Sequence, residues 1–135
     1  LRRLLAAALV PVLLAACTPP AGGATDAGDP YAGLDSQILV WRGALEAEHP
    51  ACATKVDGKG CQDFQVMCKA AQEITPEETG RGVTAQLVAA MTFAGRNADG
   101  STGKSGSAFA VFTKTGTTWS REGAPPVNLS TCAPL

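Results

Sequence analysis

Hydrophobic positions along the chain change period several times, and each change predicts an element. Leu34, Ile38, Trp41 and Leu45 recur at helical spacing and Pro50 closes the segment, which predicts a helix over residues 36–50 with Asp35 as its N-cap. Cys61 to Thr75 (CQDFQVMCKAAQEIT) carries a second stripe, Phe64, Met67, Cys68, Ala71 and Ile74, and predicts a second helix. Thr75-Pro76-Glu77-Glu78 has the form of a capping box with proline at the first helical position, but Gly80 and Gly82 limit it to one turn. From Val83 the period becomes two. Val83, Ala85, Leu87, Ala89, Met91 and Phe93 alternate with their neighbours, which predicts a strand, with a helix over 83–94 as the alternative.

Two shorter strands follow, Ser107 to Lys114 and Thr117 to Arg121, around the hairpin signal Thr115-Gly116. Residues 95–106 (GRNADGSTGKSG) have no apolar period and predict a long loop, and long loops are disproportionately functional. Its polar residues Arg96, Asn97, Asp99, Ser101 and Lys104 are the candidate binding loop. The expected fold class is α+β, with two N-terminal helices packed on an antiparallel meander of three or four strands. That order resembles cystatin-like and nuclear-transport-factor-2-like folds. Val127 to Leu135 is expected to return toward the helices.

The N-terminus has a different logic. Arg2 and Arg3 precede an apolar run from Leu4 to Leu14 and a small-residue stretch, the layout of an export signal. The run is shorter than the roughly 20 residues needed to span a bilayer. Leu14-Ala15-Ala16-Cys17 resembles the lipobox of bacterial lipoproteins. The resemblance implies a signal peptide over 1–16 and an acylated Cys17 that anchors the chain in a lipid bilayer. Thr18, where inner-membrane retention commonly uses Asp, implies an outer-membrane lipoprotein facing the periplasm. Residues 17–33 then form a lipidated cysteine and a Pro/Gly/Ala-rich tether, and 34–135 a single domain.

Charge excludes some partners. Without Arg2 and Arg3 the basic residues fall from 11 to 9 against 12 acidic ones, which speaks against nucleic acid as a partner. The remaining cysteines, Cys52, Cys61, Cys68 and Cys132, are an even set in an exported domain and predict two disulfides. On one helix Cys61 and Cys68 stand about 10 Å apart in rise, beyond disulfide reach. Of the two pairings left, Cys52–Cys61 with Cys68–Cys132 is favoured, because Cys52 and Cys61 flank a tight connection. A metal site on His49, Cys52, Cys61 and Cys68 has no strong zinc spacing, and none is expected.

Catalytic chemistry is thinly provided. His49 is the single histidine and sits at a helix C-terminus, where a protonated ring suits the dipole. Glu46 with Glu48 and Glu77 with Glu78 fit solvated faces or caps, and Trp41 and Trp119 fit packing. Ala98 to Ser105 matches a permissive phosphate-binding loop, but a strand pattern follows it where a helix is required, so no nucleotide is expected. No catalytic residue, cofactor or metal is implied, and the chain is expected not to be an enzyme. The leading expectation is a binding or assembly accessory whose partner is an unknown envelope protein. A periplasmic inhibitor of a lytic or proteolytic enzyme is second. A hydrolase or carrier of small hydrophobic ligands is third.

Overall fold

The computed structural model describes residues 28–135; the expected signal peptide, Cys17 and most of the expected tether lie outside the described residues. Helix α1 spans Leu34–Glu48. A 3-10 turn over Pro50–Cys52 and a tight Val56–Lys59 hairpin follow. Asp57 and Gly58 at its tip both have positive φ, the conformation a two-residue type I′ turn requires. Strand β1 is Cys61–Ala71, and a one-turn helix α2 is Pro76–Gly80. Strands β2 (Val83–Arg96), β3 (Thr102–Thr115) and β4 (Thr118–Gly123) complete an antiparallel sheet in the order β1-β2-β3-β4. The class is α+β, with one long helix. No helix among the described residues is long and apolar enough to cross a membrane.

Residues 61–71 are therefore a strand, and the expected second helix is corrected. The cause is two irregularities on β1. Its register against β2 skips between Gln62 and Gln65 and again between Val66 and Cys68, one extra β1 residue each time. A bulge converts the two-residue spacing of same-face side chains into three. Cys61 and Phe64 thus share a face at a helix-like interval, although the backbone is extended.

Helix α1 covers one face of the sheet. Leu34, Ile38 and Trp41 are buried against Leu87, Ala89, Met91, Phe93 and Phe112, with Trp41 edge-on to Phe112 at 5.6 Å between ring centroids. The N-cap is Gly33, not Asp35, and it makes no side-chain capping bond. Residues 29–33, expected as tether, are held in place, since the Trp119 indole N–H donates to Ala32 O at 2.8 Å. The 3-10 turn comes so close to the sheet that a Cβ on Gly95 would collide with the Ala51 carbonyl oxygen.

The tail covers the other face. Val127 and Cys132 bury Val88 and Ala90, with Cys68 and Phe109 packed alongside, so the tail returns to the face opposite α1 rather than to the helix. Its loop is organised by the Asn128 side chain, which accepts from the N–H groups of Ser130 and Thr131 at 2.8 and 3.1 Å. Each face carries one disulfide: Cys52–Cys61 under the helix and Cys68–Cys132 under the tail. Between these two covers, ten of the fourteen residues of β2 are buried.

Candidate functional site

The expected long loop over 95–106 is much shorter. Arg96 still pairs with Thr102 across the hairpin, so only residues 97–101 lie outside the ladder. The turn is closed by Gly100 N–H to Asn97 O and Asn97 N–H to Ser101 O, both 2.8 Å. Asn97 Nδ2 donates to Ser101 Oγ at 2.9 Å and to Thr102 O at 3.2 Å. Asp99 Oδ1 accepts from the Ser101 hydroxyl at 2.6 Å and the Ser101 N–H at 2.9 Å. Those bonds, the hydroxyl's first, hold the Asp99 carboxyl below the usual carboxylate range.

The five candidate residues separate into three environments. Asn97, Asp99 and Ser101 form the closed network. Arg96 donates through Nη2 to Cys61 O at 3.4 Å, and its buried Nε has no partner among the described residues. Lys104 stands exposed on β3. The phosphate-loop match is consequently a turn entering a strand, with no helix N-terminus to receive an anion.

A larger concavity lies beside this turn, on the part of the tail's sheet face that the tail does not reach. It is a trough of about 690 Å³ lined by Asp63, Gln65, Thr92, Thr102, Ser105, Ser107 and Leu129, among others. Two cross-strand rows build its floor, Gln62–Ala94–Ser105 and Gln65–Thr92–Ser107. On the same face of β2 the apolar Val88 and Ala90 lie under the tail, and polar Thr92 appears where the tail ends. Gln62 Nε2 donates to Thr102 Oγ1 at 2.8 Å and steadies the upper row. Asp63, at the rim, is in the left-handed region at φ 57, which Asp tolerates better than most residues.

Sequence inspection missed the trough because it depends on the bulged register of β1. The visible signal was the change from apolar to polar residues along one face of β2 after Ala90. A second cleft, about 450 Å³, opens at the start of α1 between Tyr31, Leu34, Asp35, Lys69, Ala71 and Leu87. Between α1 and the sheet the space is filled by Trp41, Met91 and Phe112, all buried, which leaves that layer as packed core.

Other chemistry-bearing residues have structural partners. His49 stacks edge-on to Phe93 at 4.8 Å, and its Nδ1 accepts the Ala51 N–H at 3.1 Å. Nδ1 thus serves as the acceptor of a local cap for the 3-10 turn. Because Phe93 faces α1, His49 and the trough serines stand on opposite sides of the sheet. Glu46 accepts the Gly60 N–H at 3.1 Å. Glu78 completes the capping box with Thr75, whose hydrogen bonds keep its carboxyl below the usual range. All four sulfurs are bridged, which leaves no thiolate at these positions. No group of three His, Cys, Asp or Glu residues among the described ones is placed to hold a metal ion. What the trough offers is hydrogen bonding, from amide, hydroxyl and carboxylate groups.

Comparison with protein-family models, with curated proteins and with solved structures finds no match to this chain.

Proposed function

We propose that the chain is a lipid-anchored envelope protein whose folded part is a non-enzymatic binding or assembly module. The observation that carries this is the pair of disulfides, one fastening each face of the sheet. Such bridges persist in oxidising compartments and are rare where thiols are kept reduced. The lipobox resemblance at Leu14 to Cys17 supports the anchor, with the bilayer as one partner and the outer membrane, facing the periplasm, as the proposed site. The trough supports the binding role, since it presents amide, hydroxyl and carboxylate groups on a sheet. The other partner is an envelope protein.

The finer fold assignment, cystatin-like or nuclear-transport-factor-2-like, belongs to the same proposal and is supported by α1 preceding an antiparallel meander. Fold alone carries no function. A second role, inhibition of a lytic or proteolytic enzyme, is favoured by one feature. The Asn97–Ser101 turn is internally hydrogen-bonded, and a loop rigid before binding loses less entropy on insertion. Full activity of a lysozyme and protease panel in excess protein would remove this second role.

The test of the main proposal is metabolic labelling with a radioactive fatty acid in a Gram-negative host. Wild type should be labelled and sediment with membranes, and Cys17→Ser should lose the label and stay as uncleaved precursor in the inner membrane. An unlabelled, soluble wild type would overturn the anchor.

A further inference from the structure

β3 is longer than the strand that covers it. β4 pairs only with Ala110 to Thr115, and Ala124 N–H then bonds to Phe109 O at 3.0 Å. After that the chain turns away, because Pro125 and Pro126 have no N–H to continue a ladder. Among the described residues, the outer edge of β3 from Thr102 to Ala108 has no strand beside it.

The direction of its backbone groups follows from the register. Phe109 O points toward β4, and β3 pairs with β2 without interruption from Ser105 to Lys114. Residues two apart on a strand present N–H and C=O to the same side. Ser105 and Ser107 therefore turn both groups outward, and both residues are exposed.

Natural sheets blunt such edges with bulges or charge. Edge strand β1 carries two bulges, and the short β4 carries Arg121 and Glu122. Beyond one irregularity between Thr102 and Ser105, the open half of β3 is regular from Ser105 to Ala108, and Ser105, Gly106, Ser107 and Ala108 are small enough for another backbone to approach. Resting on the reading of the domain as a binding module, we propose that this edge docks an extended peptide segment of a partner protein as an added strand. Alternate side chains of that segment would lie over the trough, whose Gln65, Thr92 and Ser107 select hydroxyl or amide side chains, with Leu129 as the apolar wall.

A second copy of the chain is a poorer occupant. Pairing two β3 edges antiparallel about Ser105 or Gly106 brings the other copy's Asn97–Ser101 turn beside residues between Phe109 and Thr115. β4 already lies there, with Gly123 opposite Ala110. A free segment carries no such turn.

The probe is an array of peptides about eight residues long, the reach of the open edge, with Ser, Thr, Asn or Gln at alternate positions. Binding to the full chain in detergent is read by fluorescence anisotropy. Ser107→Pro, which removes one outward N–H and none of the β2–β3 bonds, should weaken the best peptide by about tenfold or more, whereas Ser107→Ala should not. Should Ser107→Pro unfold, N-methylation of alternate peptide amides must abolish binding to the wild type. Failure of every peptide to bind, binding indifferent to both backbone changes, or sedimentation as a dimer that Ser107→Pro dissociates would each overturn the proposal. Acylation of Cys17 is read independently, so loss of the anchor leaves this test intact.

Discussion

Removing the Cys68–Cys132 bridge should release the tail and take away a large part of the domain's stability. The bridge closes a loop across a separation of 64 residues, whereas Cys52–Cys61 closes one across 9. On the chain-entropy relation these loops correspond to about 4 and about 2.7 kcal/mol. A domain of this size has only about 5–15 kcal/mol in total. Cys68→Ala with Cys132→Ala should therefore lower the midpoint of thermal unfolding by roughly 15–30 °C. Cys52 and Cys61 lie in the main core, so their removal adds a packing loss of about 1 kcal/mol that narrows the difference in total stability. The location of the damage separates the two variants. Only loss of Cys68–Cys132 frees the segment held by Val127 and the Asn128 loop. Urea unfolding gives the magnitude, and limited thermolysin digestion near Val127 and Leu129 gives the location. A double variant within about 1 kcal/mol of the parent, or a tail no more cleavable than before, would refute the reasoning.

Further outcomes follow from other contacts. Gly95→Ala should destabilise by about 1–3 kcal/mol, because the new methyl meets the Ala51 carbonyl oxygen rather than a movable side chain; urea titration checks it. Trp119→Phe keeps the ring and loses the bond to Ala32 O, so it should cost about 1 kcal/mol and speed amide exchange in residues 31–34. The Glu78 and Asp99 carboxyls are held low in the folded state, so their contribution is present above the unfolded carboxylate range and lost as pH falls through the folded one. Glu78→Gln should accordingly leave stability less dependent on pH below about 4, measured as thermal midpoints across an acid series.

The parts legible in the sequence are those where local pattern and tertiary environment agree. α1 keeps its apolar stripe against one partner layer, and the Thr75–Glu78 box needs no partner beyond its own turn. β2 alternates cleanly enough to betray its inner face, and the hairpin at Gly116 follows from a residue that accepts φ 60. The disulfide pairing was reached although the second helix was not there. On the bulged strand Cys61 and Cys68 lie opposite Gly95 and Ala90, about 17 Å apart, and occupy opposite faces, which forbids their bridge more firmly than a helix would. β1 was illegible because two bulges disguise its period. The first part of β3, Thr102 to Gly106, has almost no strand propensity and is extended because β2 supplies its ladder partners, so single-strand reasoning made it a loop. The candidate site inherited both errors. Arg96 and Lys104 proved to be strand residues, and the trough appeared only with the true register.

The connectivity of the two bridges also bears on how the chain is made. For a polypeptide delivered unfolded and N-terminus first into an oxidising compartment, Cys52 and Cys61 emerge first and find each other across a separation of 9 residues. Of these four cysteines, Cys68 then has no free partner until Cys132 arrives, 64 residues later. Pairing in order of emergence gives the native pattern, so a dithiol oxidase acting on cysteines as they appear suffices, with no later step of disulfide isomerisation.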